Sequence, residues 1–194
     1  TIYKRHMKRI AIFASGSGTN AENIIKYFKN TKTVSVVLVL TNNPKARVLE
    51  RAAALEVQTV VFNKLQLNDP KWGLENLPNL DLIVLAGFLW KFPEHLLETY
   101  KNKVVNVHPA LLPKYGGIGM YGMHVHEAVV KNNESETGIT IHYVNEHYDE
   151  GAIIFQTNCA VHKTDSATEV AAKIHQLEME HFPKVIQNIL LSDV

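Results

Sequence analysis

An asparagine and a histidine lie two positions apart at the end of an apolar segment, in the stretch V-V-N-V-H-P of residues 104–109. Residues two apart on a β-strand project from the same face, so Asn106 and His108 are expected side by side on rigid backbone. An amide can donate a hydrogen bond to an oxyanion, and histidine can give or accept a proton near neutral pH. The pair therefore favours a reaction that develops negative charge on an oxygen while a proton moves. Solvated polar residues at a strand end are the alternative interpretation of the pair alone.

The residues after this pair restrict or free the backbone. Pro109 and Pro113 limit its conformations, whereas Gly116 and Gly117 widen them. This combination indicates a loop of defined shape beyond the strand, which favours a functional site there.

Length and composition predict a single domain of an ordinary globular protein. The chain has 194 residues, of which 46% are hydrophobic and 20% charged, and its formal net charge is +1. The chain has no surplus of basic residues, which a nucleic-acid-binding protein would usually show. No apolar run approaches the roughly 18 residues of a membrane span, and no secretory signal is evident. We expect a cytoplasmic protein that binds small molecules, not nucleic acid or membrane. Residues 7–194 are expected to form the domain, and residues 1–6 to be an upstream extension.

Apolar segments alternate with helix-like segments through the first part of the chain. Strands are predicted over residues 9–14, 34–40, 58–62, 80–86 and 103–108. Helices are predicted over residues 21–28, 45–55 and 93–100. Continuous apolar strands separated by helices indicate a parallel sheet that is covered on both faces.

The last part of the chain has a different pattern. After a helix ending near residue 132, segments 138–144 and 152–160 predict an antiparallel strand pair. Ser166 is predicted to cap a long final helix that Pro183 interrupts. Residues 63–79 are expected to be largely irregular. The predicted fold class is α/β: a single-domain, Rossmann-like, mostly parallel twisted sheet with helices on both faces and a C-terminal antiparallel strand pair.

A glycine-rich turn follows the first predicted strand. Residues 16–21 fit G-x-G-x-x-A between a strand and a helix, a context typical of phosphate binding. A dinucleotide site also needs an acidic residue at the end of the second strand. This chain has Thr41, Asn42 and Asn43 there, which favours a single phosphate. A tight turn without a ligand is the alternative.

Two further segments offer candidate site residues. The stretch A-G-F-L-W-K-F of residues 86–92 ends the fourth predicted strand, where an apolar pocket could bind a flat heterocycle. A packed turn is the alternative. Asp149 lies in the loop before the last strand, and a carboxylate beside an imidazole favours its protonated form and orients it. An ordinary turn residue is the alternative there.

Histidines recur after residue 120 and raise the possibility of a metal site. The H-x-H of His124 and His126 does not place both rings on one helix face, and no close carboxylate pattern completes a ligand set. We therefore expect no bound metal. His126 and His142 are predicted instead to line the substrate cleft.

Taken together, these residues resemble the phosphoribosylglycinamide formyltransferase family of folate-dependent formyl transferases. The specific segments are N-V-H-P-A-L-L-P-K-Y-G-G and H-Y-V-N-E-H-Y-D-E-G, and the likeness runs in order from Met7 to about Leu191. The resemblance implies transfer of the formyl group of the co-substrate 10-formyltetrahydrofolate to the amine of glycinamide ribonucleotide in purine biosynthesis. It implies no metal, and a monomer or homodimer.

The resemblance also implies a role for each candidate segment. The catalytic group comprises Asn106, His108 and Asp149. The turn of Gly18, Thr19 and Asn20 binds the phosphate of the ribonucleotide. The carboxylate of Glu178 binds its ribose hydroxyls. The folate is bound mainly through backbone groups, in a segment that comprises Leu89, Trp90, Lys91 and Phe92, with Asn106.

Three alternatives stay open at this point. The first is a sister enzyme that formylates a sugar nucleotide or methionyl-tRNA, or that hydrolyses formyl-folate; such enzymes usually carry an extra domain, for which we expect no room. The second is a nicotinamide-dependent dehydrogenase. The absence of an acidic residue at the end of the second strand, where it would bind a ribose hydroxyl, is evidence against it. The third is a nucleotide-sensing module, which does not need Asn106, His108 and Asp149 to converge.

Overall fold

The computed structural model describes residues 6–192, so the predicted upstream extension lies, apart from His6, outside the described residues. Seven strands and seven helices lie within this range, and they alternate except where α4 follows α3 and β7 follows β6. The strands are β1 (Lys8–Phe13), β2 (Val34–Thr41), β3 (Thr59–Val61), β4 (Leu82–Leu85), β5 (Val104–His108), β6 (Glu136–Tyr143) and β7 (Ile153–Ala160). The helices are α1 (Thr19–Phe28), α2 (Val48–Ala54), α3 (Lys64–Leu67), α4 (Pro70–Asn76), α5 (Glu94–Thr99), α6 (Met123–Lys131) and α7 (Ala167–Leu191).

The strands form one sheet in the order β3-β2-β1-β4-β5-β6-β7. β1 pairs in parallel with β2 and β4, and β2 with β3, whereas β6 is antiparallel to both β5 and β7. The predicted α/β fold class is confirmed. The described residues pack as two compact units, one of residues up to 104 with those from 186 onward, and one of residues 105–185. The domain boundaries predicted from the sequence stay a prediction.

In the first unit, the core is built on strands that are apolar along their length. Residues 10–13 of β1 and all of β4 are buried, as expected for parallel strands covered on both faces. The strand order reverses between β1 and β4. In open α/β sheets, ligands bind beyond the carboxyl ends of strands at such a reversal. These two ends lead into the glycine turn and the A-G-F-L-W segment.

In the second unit, the antiparallel pairing of β5 with β6 brings polar residues together. Asn106 lies directly opposite His142, and His108 opposite Thr140. Because opposed residues on antiparallel strands have Cβ atoms about 4.5–5.5 Å apart, their side chains interact directly. The register therefore adds His142 to the pair that the spacing of β5 predicts.

A buried hydroxyl orders the chain just after β5. Oγ1 of Thr140 donates to the Ala110 carbonyl at 2.7 Å and accepts from the Leu112 N–H at 3.1 Å. The side-chain amide of Gln156 donates to the same oxygen at 2.8 Å and to the Leu112 carbonyl at 2.9 Å. One threonine thus connects β6, β7 and the segment that follows His108.

Replacing Thr140 by valine is expected to lower the free energy of unfolding by about 1–3 kcal/mol, because buried donors of Leu112 and Gln156 lose their acceptor. Urea titration followed by circular dichroism measures the change. The matched control is Thr164→Val, whose side chain is exposed and which we expect to shift stability by less than about 0.5 kcal/mol. Equal stability of the two variants contradicts the prediction.

Residues 63–79 contain two short helices, so the expectation of a largely irregular segment was wrong. Asn63 and Gln66 form reciprocal side-chain to backbone hydrogen bonds at the start of α3. Asp69 caps α4, which has Pro70 at its first position. These helices are too short for hydrophobic periodicity to reveal, but both carry N-terminal capping signals that sequence can show.

The prediction that Pro183 interrupts the final helix was also wrong, because α7 continues through it. A proline inside a helix costs about 3 kcal/mol. Phe182 and Val185, on either side, are buried, and each such side chain contributes about 1.5–3 kcal/mol. Burial of these side chains is therefore large enough to offset the cost of the proline. The predicted cap is confirmed, since Ser166 and Glu169 exchange side-chain to backbone hydrogen bonds.

Candidate active site

Four polar side chains of the second unit form a connected chain. Nδ1 of His108 lies 3.5 Å from Oδ1 of Asp149, and that oxygen lies 3.8 Å from Nε2 of His142. Nε2 of His142 is in turn 3.1 Å from Nδ2 of Asn106. The structure thus brings together Asn106, His108 and Asp149, the three residues predicted to be catalytic.

The imidazole of His108 lies between two hydrogen-bond acceptors. Nε2 is 2.6 Å from the carbonyl oxygen of Tyr115, and Nδ1 faces Asp149. Because a carbonyl oxygen can only accept, Nε2 donates to Tyr115. With 4% of its surface exposed, the ring is also shielded from water. Nδ1 lies within ion-pair distance of the carboxylate, and that distance is longer than an ordinary hydrogen bond.

The carboxylate of Asp149 is oriented by the loop that follows β5. Its Oδ2 accepts a hydrogen bond from the Gly117 N–H at 2.9 Å. A Cβ at Gly116 would lie 2.5 Å from Cδ2 of Leu112 and 3.3 Å from the Asp149 Cβ, so any larger residue would require these side chains to shift. The backbone of Asp149 is itself left-handed, with φ of 56°. Two loops distant in sequence therefore order one carboxylate.

Tyr115, whose carbonyl binds His108, is anchored by its own side chain. Its hydroxyl donates to Glu134 at 2.8 Å and accepts from the Asn132 amide at 3.1 Å. The hydrogen bonds from Tyr115 and Lys114 lower the pKa of the Glu134 carboxyl below its usual range. The carboxylate is therefore ionised at neutral pH and available to Tyr115. This anchoring matters because Tyr115 has a left-handed backbone, with φ of 56°, which is strained for an aromatic residue.

Tyr115 was missed from the sequence. It acts through a backbone carbonyl, which every residue type possesses, so its identity carries no chemical signal. The adjacent glycines at 116 and 117 are the one indication that the backbone takes an unusual path at this position.

His126 and Glu178 lie on different helices of the same unit. His126 on α6 is 6% exposed, and its Nδ1 has no hydrogen-bond partner among residues 6–192. Burial lowers the pKa of His126, and the negative charge of Glu178 opposes this shift. On α7, the Glu178 carboxylate is 3.7 Å from Nδ1 of His175 and raises the pKa of that histidine. A carboxylate in such surroundings can accept hydrogen bonds from sugar hydroxyls.

In the first unit, α2 packs against the glycine turn. Gly18 has φ of 73°, and a Cβ there would lie 2.4 Å from Cγ2 of Val48. Nε of Arg51 donates to the Ser17 carbonyl at 2.7 Å, and its NH1 pairs with Glu22 at 2.7 Å. The turn leads into α1, where Thr19 and Asn20 form the first positions. The backbone amides at the start of such a helix favour anions.

The A-G-F-L-W segment is connected to this turn through Ser15. The Ser15 hydroxyl donates to Oδ1 of Asn42 at 2.7 Å and accepts from the Leu89 N–H at 3.0 Å. The Ser15 N–H also donates to the Gly87 carbonyl at 3.0 Å. Among the backbone groups predicted to bind folate, the Leu89 N–H therefore already donates a hydrogen bond to the Ser15 hydroxyl.

The side chains of this segment differ in their surroundings. Phe92 is buried with its ring centre 5.2 Å from that of Phe13, so it belongs to the core. Trp90 is half-buried, with its ring edge toward Phe62. Leu89 and Lys91 are exposed. Among residues 89–92, the side chains of Leu89 and Lys91 and part of Trp90 are therefore accessible to a ligand.

Two kinds of feature are absent from the described part of the chain. Among residues 6–192, no three His, Cys, Asp or Glu side chains are grouped so that they could bind a metal ion. No helix in that range combines the length and apolar character that crossing a membrane requires.

Comparison with known proteins places these observations in a family. A sequence model of the formyl transferase family matches residues 8–186. The phosphoribosylglycinamide formyltransferase of Bacillus subtilis (strain 168) is 34% identical over 191 residues, which is 95% of each chain. The protein of the same name from Haemophilus influenzae is 32% identical, over 93% of this chain and 86% of that protein.

Solved structures agree with the sequence matches. The glycinamide ribonucleotide transformylase 1 of Geobacillus kaustophilus superposes with a TM-score of 0.86 at 35% identity, covering 95% of this chain and all of that one. The phosphoribosylglycinamide formyltransferase of Bacillus halodurans gives 0.84 at 33% identity, over 96% and 97%. These findings confirm the resemblance that the sequence motifs predict, and the chain belongs to the formyl transferase family.

Proposed function

We propose that the chain transfers the formyl group of 10-formyltetrahydrofolate to the amine of glycinamide ribonucleotide, a step of purine biosynthesis. The observation that supports this best is the connected chain of Asn106, His142, Asp149 and His108. It combines amide, imidazole and carboxylate groups in one cluster, in which the histidines are buried and the other two residues half-buried. The names of the relatives in two bacteria point to the same acceptor.

In the proposed reaction, the amine attacks the formyl carbon and the carbonyl oxygen becomes an oxyanion. The new C–N bond forms, the bond from the formyl carbon to N10 of the folate then breaks, and a proton passes from the amine to the departing nitrogen. Nδ2 of Asn106 and Nδ1 of His108 are the donors assigned to the oxyanion, because Tyr115 binds the other nitrogen of His108. One such donor is worth about 3–4 kcal/mol of transition-state stabilisation.

Asp149 has two tasks in this proposal. Its negative charge stabilises the imidazolium of His108 at 3.5 Å, and its position orients the ring. Through water, it also accepts the proton that the attacking amine loses and passes it on to N10 of the departing folate. No metal ion takes part in these steps.

The remaining predicted residues bind the substrates in this proposal. Gly18, Thr19 and Asn20 bind the phosphate at the start of α1, and Glu178 accepts hydrogen bonds from the ribose hydroxyls. The segment of residues 89–92 and Asn106 bind the folate, and His126 and His142 lie in the cleft. The enzyme acts in the cytoplasm as a monomer or homodimer.

An acceptor comparison tests the proposed function. Purified protein is mixed with 10-formyltetrahydrofolate and one of four acceptors, and the deformylated folate is followed by absorbance. The acceptors are glycinamide ribonucleotide, an amino-sugar nucleotide, methionyl-tRNA and water alone. We expect rapid turnover with glycinamide ribonucleotide only. Faster turnover with another acceptor, or equal turnover with none, contradicts the proposal and identifies a sister transferase or a hydrolase.

Replacing Gly18 by alanine is expected to weaken ribonucleotide binding. The new methyl group overlaps Val48 and needs a left-handed backbone, which together cost about 1–3 kcal/mol of stability and displace the turn. Because a hydrogen bond to a charged group is worth about 1.5–3 kcal/mol, the KM for glycinamide ribonucleotide should rise about tenfold or more. Steady-state kinetics and urea unfolding measure the two effects.

The matched control for Gly18 is Gly16→Ala in the same turn. A Cβ at Gly16 meets no atom within 4 Å, and its φ lies outside the left-handed range. We expect the free energy of unfolding of this variant to stay constant or rise slightly. An unchanged KM in Gly18→Ala contradicts the assignment of the phosphate to this turn.

A further inference from the structure

His142 lies directly opposite Asn106, at a position where β6 changes its register. The two residues face one another across the antiparallel β5–β6 pair, and the pairing of β6 with β7 shifts between Ile141 and His142. His142 is 2% exposed, so solvent does not satisfy its ring nitrogens. Each nitrogen must therefore find its partner within the protein.

The partners of the ring determine which nitrogen carries the hydrogen. Nδ1 is 2.9 Å from the Tyr143 carbonyl oxygen, which can only accept, so Nδ1 must donate. A neutral imidazole has one N–H, and Nε2 is then left with a lone pair. Burial lowers the pKa of His142 despite the opposing hydrogen bond to Tyr143 and charge of Asp149, which supports the neutral ring.

An acceptor at Nε2 selects one orientation of the Asn106 side chain. The carboxamide can present either Nδ2 or Oδ1 to a partner 3.1 Å away. If the amide were rotated by 180°, two acceptors would face each other in a buried site, which costs about 1–3 kcal/mol. With Nδ2 toward His142, one amide hydrogen binds Nε2 and the second is left for another acceptor.

We propose that His142 is a positioning residue for the transfer reaction: as the neutral Nδ1–H tautomer it selects the orientation of Asn106 in which the amide nitrogen serves as oxyanion donor. The inference rests on the proposed function, because the proposed formyl transfer is the reaction in which the Asn106 amide nitrogen must donate to an oxyanion. It also gives His142 a role beyond lining a cleft.

A charged His142 would reverse this selection. Its Nε2–H could donate only to an acceptor, so the Asn106 oxygen would become the preferred neighbour, while Asp149, whose Oδ1 is 3.8 Å away, would stabilise the positive charge. The ionisable groups that face the ring are Asp149, which favours the charged form, and His108, which disfavours it. The amide orientation is thus coupled to the charges of the same cluster.

Two substitutions separate positioning from packing. Glutamine places a carboxamide oxygen where Nε2 lies and can still accept from Asn106, whereas asparagine reaches only the position of Nδ1. We expect His142→Gln to retain kcat within about threefold, and His142→Asn to lose about 10- to 100-fold in kcat with little change in the KM for ribonucleotide. Urea unfolding of both variants reports any difference in stability.

Nitrogen NMR of histidine-labelled wild-type protein tests the tautomer without relying on a variant or on activity. We expect His142 to show a protonated Nδ1 and an unprotonated Nε2 at pH 7.5. A protonated Nε2, or equal kcat losses in the glutamine and asparagine variants, overturns the inference. Wild-type protein that transfers no formyl group overturns the proposed function instead, and the NMR measurement still decides the tautomer.

Discussion

Replacing His108 by alanine is expected to lower kcat by about two to four orders of magnitude, with little change in either KM. The imidazole is oriented at Nε2 by the Tyr115 carbonyl and faces Asp149 through Nδ1, so alanine removes an oriented cationic donor. A donor that acts mainly in the transition state affects kcat more than substrate binding. Steady-state kinetics with varied 10-formyltetrahydrofolate and glycinamide ribonucleotide separate the two parameters.

The matched control for this variant is His162→Ala. His162 is exposed in the turn before α7, and its substitution is expected to leave kcat unchanged. Thermal unfolding of both variants shows whether each is folded at the assay temperature. Near-normal turnover in folded His108→Ala protein contradicts the assigned role.

Replacing Asp149 by asparagine is expected to lower kcat by about 10²- to 10⁴-fold. The substitution preserves shape, and an amide oxygen can still accept the Gly117 N–H that binds Oδ2. It removes the negative charge beside His108 and the proton acceptor for the amine. The loss should therefore appear in kcat while the protein stays folded, which steady-state kinetics and circular dichroism together establish.

Glu150→Gln serves as the control for the Asp149 substitution. It removes the same charge from the adjacent, exposed residue of the same loop. If the effect arises from general electrostatics of the loop, both variants lose activity equally, and the assignment of Asp149 is wrong. We expect Glu150→Gln to retain wild-type kcat.

Local signals in the sequence predict part of the candidate site. The spacing of Asn106 and His108 on an apolar strand is enough to predict that both side chains project from the same face of β5. His142 becomes the neighbour of Asn106 only through the β5–β6 register, which spacing alone does not define. Tyr115 contributes a carbonyl, and no side-chain chemistry reveals it. Asp149 required the resemblance to known proteins, since an Asp before a loop glycine is common turn chemistry.

Strands and helices of the fold likewise differ in how well a local sequence pattern predicts them. β1, β2 and β4 are continuous apolar runs, so the sequence predicts both their positions and the sheet type. The short helices α3 and α4 depend on capping residues more than on periodicity and were therefore missed. The path of α7 through Pro183 depends on how well Phe182 and Val185 pack, an energy that no local pattern contains.

The fate of the formyl carbon distinguishes transfer to the ribonucleotide from hydrolysis. The protein is mixed with 10-formyltetrahydrofolate labelled with carbon-13 in the formyl group and one equivalent of glycinamide ribonucleotide, and carbon NMR follows the label. We predict that the label appears in the formamide of the ribonucleotide product, one for each folate deformylated. Label that appears as free formate, or that stays on the folate, contradicts the account.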